Sequence, residues 1–120
     1  MKKYLLIVSL IFSSLSLYAN DAAQAESLFE KKCSTCHVYY RPDDINTLVA
    51  PPIKGVVRHL RSDFKSQQEI ISHVQEFVLN PTHEKAICPS VQRFGLMPSQ
   101  NGVVTKEELA VIAKWMLEKF

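Results

Sequence analysis

Cys33-Ser34-Thr35-Cys36-His37 is the stretch from which the fold of this chain can be worked out. It has the form C-x-x-C-H, the pattern at which a c-type haem is attached covalently. Residues i, i+3 and i+4 of a helical turn lie on one face. Both thiols can therefore reach the two vinyl groups of one porphyrin, and His37 can project over the ring to bind the iron. A C-x-x-C pair alone would also fit a thioredoxin-like redox pair or half of a zinc site. The adjoining histidine and the lack of a second C-x-x-C favour one covalent haem c and its iron.

The first 19 residues have the pattern of an export signal. A pair of lysines is followed by an apolar run and then by a Ser/Leu stretch that ends at Ala19. This order predicts a signal peptide over 1–19 and one mature domain over 20–120. We expect a periplasmic location, because bacteria attach haem to C-x-x-C-H outside the cytoplasm, and no stable membrane insertion after cleavage. An uncleaved anchor is the alternative, although four serines interrupt a stretch that would need about 20 mostly apolar residues to span a membrane.

The charge of residues 20–120 is balanced. The formal charge of +2 comes from the two lysines at positions 2 and 3, so the remainder carries 12 basic and 12 acidic residues. A nucleic-acid-binding protein would need a strongly basic face, and we expect no nucleic-acid partner. A domain of this size buries only a modest core by itself, which a covalently held haem would enlarge. We expect a monomer.

The spacing of apolar residues predicts three main helices and an all-α fold. The first covers 21–32 and leads into the C-x-x-C-H motif, the second covers 66–79, and the third begins at Thr105. The second and third each begin with an S/T-x-x-E capping box. The intervening segments 38–65 and 81–103 contain all six prolines and are predicted to be mostly irregular. Two long loops between helices could wrap a flat cofactor.

A haem iron that carries electrons needs a second axial ligand, and Met97 is the favoured candidate. Pro98 restricts Met97 to extended backbone, so its thioether can point inward. The soft sulfur would raise the reduction potential relative to a nitrogen ligand. The alternative role of Met97 is to fill a gap in the core. The other candidate ligands are His59, His73, His83, Cys88 and Met116, of which Met116 is expected in the core.

Further short motifs surround the C-x-x-C-H stretch. Ala25 and Phe29 precede it in the first helix, and Pro51-Pro52-Ile53-Lys54-Gly55 follows it. Met97-Pro98 comes later, and Trp115 lies in the last helix. Together these motifs resemble the class I monohaem cytochromes c, in particular the small bacterial periplasmic kind. Ala50 departs from that pattern, because glycine is usual before the first of the two prolines.

The resemblance implies the class I cytochrome c fold around one haem c attached through Cys33 and Cys36, with His37 and Met97 as metal ligands. It implies that the Pro51 carbonyl accepts a hydrogen bond from Nδ1 of His37, which would fix the imidazole and raise its basicity. It also implies that an aromatic ring at position 115 crosses the Ala25/Phe29 face of the first helix.

The function implied is that of a soluble periplasmic one-electron carrier, not an enzyme, whose partners are other redox proteins of the respiratory chain. Two alternatives stay open. The chain could be a cytochrome c subunit of a larger oxidase or reductase complex, or a haem sensor or peroxidase with an open or displaceable sixth ligand.

Two further features have alternative interpretations. Cys88 has no partner for an intramolecular disulfide and is predicted to be a buried small apolar residue; an intermolecular disulfide or thiol redox sensing is the alternative. A group of basic residues either docks an acidic partner or solvates a loop, and it consists of Lys54, Arg58, Arg61 and Lys65.

Overall fold

A computed structural model describes residues 20–120, and within this range all regular secondary structure is helical. Helix α1 covers residues 20–32. It is followed by a 3-10 turn at Ile45–Thr47, α2 at Ile53–Asp63, α3 at Gln67–Leu79, α4 at Val91–Phe94 and α5 at Lys106–Lys119. The all-α prediction is confirmed. No helix in this range is long and apolar enough to cross a membrane. The predicted signal peptide lies outside the described residues.

The three predicted helices correspond to α1, α3 and α5, and both capping boxes are formed. At α3 the Glu69 N–H donates to Ser66 Oγ at 3.2 Å, and the Ser66 N–H donates to the Glu69 carboxylate at 3.0 Å. At α5 the Glu108 N–H donates to Thr105 Oγ1 at 3.1 Å, and the Thr105 N–H donates to the Glu108 carboxylate at 2.9 Å. These reciprocal bonds satisfy N–H groups that have no partner within a helix, and they fix where α3 and α5 begin.

The prediction that 38–65 is mostly irregular is wrong for its second half, which forms α2. Pro52 is not a helix breaker here, because it occupies the N-cap of α2, where the missing N–H costs no helical hydrogen bond. Three side chains spaced as i, i+4 and i+7 face the core, namely Ile53, Val57 and Leu60, which are 4%, 1% and 3% exposed. The segment 81–103 is mostly loop as predicted, apart from the single turn of α4.

Helix α5 lies at the centre of the core. Its buried residues are Leu109, Ile112, Ala113, Trp115 and Met116. Ile70 and Val74 of α3 belong to the same buried cluster. From α1, Phe29 packs against Trp115 with ring centroids 5.3 Å apart, so an aromatic residue of the last helix contacts the Phe29 face of α1. The C-terminal end of α1, which carries the C-x-x-C-H motif, is thereby fixed against the core.

Candidate functional site

The C-x-x-C-H motif forms a hydrogen-bonded turn at the end of α1. The Cys33 N–H donates to the Phe29 carbonyl at 2.8 Å, and the His37 N–H donates to the Cys33 carbonyl at 3.0 Å. The turn therefore places Cys33, Cys36 and His37 at helical i, i+3 and i+4 spacing. Both thiols are free. Cys33 is half-buried and packs on the core, whereas Cys36 is exposed.

The imidazole of His37 is oriented by Pro51. Nδ1 lies 2.8 Å from the Pro51 carbonyl oxygen, and because a carbonyl can only accept, Nδ1 carries the proton. The lone pair of the neutral ring is then on Nε2. Burial lowers the pKa of His37, an effect that the Pro51 carbonyl partly opposes. The neutral form, which is the form that binds a metal, is therefore favoured.

The backbone after the motif is joined to the start of α2. The Ile53 N–H donates to the Val38 carbonyl at 2.9 Å, and the Lys54 N–H donates to the Tyr39 carbonyl at 3.0 Å. The N-cap residue of α2 is a proline without a side-chain cap, so these two carbonyls satisfy N–H groups that would otherwise lack a partner. His37, its acceptor Pro51 and the first turn of α2 therefore form one connected unit.

Tyr39 anchors the same segment to α1 and α5. Its ring centroid lies 5.4 Å from that of Phe29 and 6.0 Å from that of Trp115, and its hydroxyl donates to the Glu30 carboxylate. Burial and, to a smaller extent, the hydrogen bond to Glu30 raise the pKa of Tyr39, so its hydroxyl stays protonated and acts as a donor. Lys119 lies 4.8 Å from the centre of the Tyr39 ring. Sequence reasoning missed this anchor, because nothing in the local pattern pairs Tyr39 with distant residues.

The surroundings of the motif bear on the two other uses of a C-x-x-C pair. Burial raises the pKa of Cys33 to about 11, which disfavours Cys33 as the thiolate of a redox-active pair. A structural zinc ion needs four ligands, and within residues 20–120 no group of three or more His, Cys, Asp or Glu side chains is placed to hold a metal ion. Covalent haem attachment does not require these three donors to converge, since the thiols would bond to the porphyrin edge and, within the motif, the imidazole alone would bind the iron. The residues present fit a haem c.

The structure places Met97 in a loop attached to α3. Gly95 ends α4 with φ 77°, a conformation that favours glycine. Beyond Met97, the Ser99 hydroxyl donates to the Leu79 carbonyl at 2.6 Å, and the Gln100 N–H donates to the Val78 carbonyl at 3.0 Å. Among residues 20–120, no hydrogen bond joins 95–100 to the motif. Pro51 and His37 are thus brought together, while the ligand role of Met97 stays a prediction.

The surroundings of the two methionines differ. Met116 is 5% exposed and belongs to the buried core, as expected. Met97 is half-buried, and in the described part of the chain it is not among the side chains packed on that core. The core-filling alternative for Met97 is therefore disfavoured.

The other candidate ligands lie in varied surroundings. His73 lies with its ring centroid 4.8 Å from that of Phe64 and 5.8 Å from that of Phe77. His83 is exposed and His59 is half-buried. Cys88 is half-buried, with a pKa raised mainly by burial, which makes its thiol a poor source of thiolate.

Comparison with known proteins finds a similar protein but indicates no activity. No protein-family model matches the chain, and no solved structure matches it. A protein of Aquifex aeolicus (strain VF5), described as uncharacterized, is 24% identical over 135 aligned residues that cover 100% of this chain and 89% of the relative. The similarity extends along the whole chain, but a relative with that description indicates no activity.

Proposed function

We propose that the chain is a periplasmic one-electron carrier with a class I cytochrome c fold and one haem c attached through Cys33 and Cys36. The observation that carries this proposal is the 2.8 Å hydrogen bond from His37 Nδ1 to the Pro51 carbonyl, in a motif whose two thiols are free. Such an acceptor fixes the tautomer and orientation of a metal-binding imidazole and raises its basicity.

When bound, the haem c supplies reversible Fe(III)/Fe(II) chemistry, and each residue has a defined role around it. Cys33 and Cys36 would hold the group, His37 would bind the iron through Nε2, and Met97 would bind it through its thioether. The buried cluster shared by α1, α2, α3 and α5 excludes water beside the motif, and a low-dielectric surrounding is one of the means by which a protein sets a haem potential. The partners are other redox proteins of the respiratory chain, met in brief encounters of small area.

A sensor or peroxidase with an open or displaceable sixth position is the second candidate function. The observation that favours it is the attachment of the Met97 loop to α3 through Leu79 and Val78, with no hydrogen bond to the motif among residues 20–120. Because the Met97 loop is held by α3 and not by the motif, Met97 could move away from the iron while the motif stays folded.

Absorption spectra of the purified protein in both redox states test the proposal. We expect a low-spin c-type spectrum with a red-region Met-to-Fe(III) charge-transfer band in the oxidised protein. Met97→Ala should leave the haem attached and abolish the band, whereas the matched control Met116→Leu should keep it. A high-spin wild-type spectrum would favour the second candidate. A Met97→Ala spectrum identical to wild type would show that the ligand assignment is wrong.

A further inference from the structure

The exposed side of α2 carries a row of positive charges. Lys54, Arg58 and Arg61 are spaced by four and three residues, and all three are exposed. With 3.6 residues per turn, these positions fall within about 60° of the helix circumference and extend about 10 Å along its axis. Lys65, also exposed, follows just after the helix ends. We call Lys54, Arg58, Arg61 and Lys65 the basic row.

Within residues 20–120 no side chain of the basic row forms an ion pair, although the Glu69 carboxylate accepts a hydrogen bond from the Lys65 N–H at 2.9 Å. Asp63, the acidic residue of α2, lies about 180° around the helix from Lys54. Within residues 20–120 the ion pair formed is that of Lys119 with Glu26, which does not involve the row. Arg61 also donates to the Leu117 carbonyl at 2.5 Å and so helps to join α2 to α5. Lys54 and Arg58 are therefore the charges most available to a partner.

The row begins beside the candidate haem site. The N–H of Lys54 is bonded to the Tyr39 carbonyl at 3.0 Å, three residues after Pro51. The Lys54 ammonium lies 5.7 Å from the centre of the Tyr40 ring. Tyr40 is 56% exposed and Val38 is 41% exposed. At this end the surface thus combines cations with an exposed apolar spot next to the C-x-x-C-H motif.

We infer that the basic row, with the exposed ring of Tyr40, is the docking surface for an acidic face of a protein partner. Asp and Glu side chains of the partner would face Lys54 and Arg58, and an apolar side chain would cover Tyr40. Complementary charges of this kind increase the rate of association and fix orientation more than they add affinity. That the partner exchanges electrons rests on the proposed function, whereas the surface follows from the charges alone.

A protein partner fits this surface better than a lipid or a nucleic acid. A helix that lies in a membrane needs a free apolar face, but the apolar side chains Ile53, Val57 and Leu60 are at most 4% exposed. Nucleic-acid binding calls for a broadly basic domain, and residues 20–120 carry equal numbers of basic and acidic residues. A single narrow row on a neutral domain matches a small acidic patch.

Titration of the ¹⁵N-labelled protein with a poly-L-glutamate peptide at low ionic strength tests the inference. We expect amide shifts confined to α2 and to residues 38–40, and binding that weakens as salt screens exposed charges. The variant Lys54→Glu/Arg58→Glu should bind at least about tenfold more weakly. It should still fold, because both replaced side chains are exposed and the glutamate at position 54 lies in the first turn of α2, where an acidic residue is stabilising. The control Lys31→Glu/Lys106→Glu reverses two exposed charges on α1 and α5 and should bind within about twofold of wild type.

Several results would overturn the inference. These are equal weakening in both double variants, shifts away from α2, or a Lys54→Glu/Arg58→Glu variant that binds like wild type. The wild-type protein could instead bind anionic phosphatidylglycerol vesicles and not poly-L-glutamate. If Lys54→Glu/Arg58→Glu abolished that vesicle binding, the surface would be a membrane-binding site and the inference would be wrong. The absorption spectrum separates the two proposals. If the protein contains haem but does not bind the peptide, only the docking surface is refuted. If it binds the peptide but contains no haem, the docking surface stands and the redox role of the partner is refuted.

Discussion

Truncation of Phe29 tests how the C-x-x-C-H motif is held against the core. The Phe29 ring is 0% exposed, and its centroid lies 5.3 Å from that of Trp115 and 5.4 Å from that of Tyr39. Its carbonyl accepts the N–H groups of Cys33 at 2.8 Å and Ser34 at 3.1 Å. Phe29→Ala would therefore leave a cavity directly beneath the turn that carries the motif.

The expected loss of stability is large. Truncation of a buried phenylalanine to alanine typically costs about 3–5 kcal/mol, and the whole free energy of unfolding of a small domain is about 5–15 kcal/mol. For a domain of this size, each kcal/mol lowers the melting temperature by about 4–8 °C. The melting temperature of Phe29→Ala should fall by at least about 12 °C relative to wild type.

Urea unfolding followed by the fluorescence of Trp115, the single tryptophan, would measure this loss. The matched control is Tyr40→Ala, which deletes an aromatic ring that is 56% exposed. It should cost clearly less than Phe29→Ala, because the Tyr40 ring is mostly in solvent and its removal leaves no buried cavity. If Phe29→Ala loses no more stability than Tyr40→Ala, the motif is not anchored through Phe29 as described.

Two further predictions concern α5 and α3. Thr105→Ala removes the acceptor for the Glu108 N–H and should cost about 1 kcal/mol in urea unfolding; an unchanged midpoint would contradict the cap. Burial lowers the pKa of His73, although Glu76 and Asp63 partly raise it, so the unfolded chain binds the proton more readily. Stability should then be full above about pH 6.5 and fall as the pH drops toward the lowered folded value. His73→Gln should flatten the dependence of the melting temperature between about pH 7 and 5, and an unchanged slope would contradict it.

Features that depend on local sequence could be predicted. Helices α3 and α5 begin where the capping boxes of Ser66 and Thr105 indicate, because those bonds join residues three apart. The apolar spacing that predicts α1 includes Ala25 and Phe29, and both are buried. The bond between His37 and Pro51 was implied by the family resemblance and is present, although composition and periodicity gave no sign of it.

Features that depend on contacts between residues far apart in the sequence could not be predicted. The prediction misses helix α2 because Pro51, Pro52 and Gly55 suggest a loop, yet the spacing of Ile53, Val57 and Leu60 is a helical signal. Tyr39 packs against Trp115 of α5, which lies far along the chain, and no local pattern points to that contact. The position of the Met97 thioether depends on the group that it would contact, so neither spacing nor backbone conformation determines it.

Covalent attachment of the haem is the most direct measurement of the central claim. The protein is purified from a bacterial periplasm, extracted with acid and organic solvent, and weighed by mass spectrometry beside the double variant Cys33→Ser/Cys36→Ser. We predict that the wild-type polypeptide keeps the mass and colour of one haem after extraction, and that loss of both thiols abolishes attachment. A colourless polypeptide, or one that releases its pigment into the solvent, would contradict the assignment of Cys33, Cys36 and His37 as a haem c site.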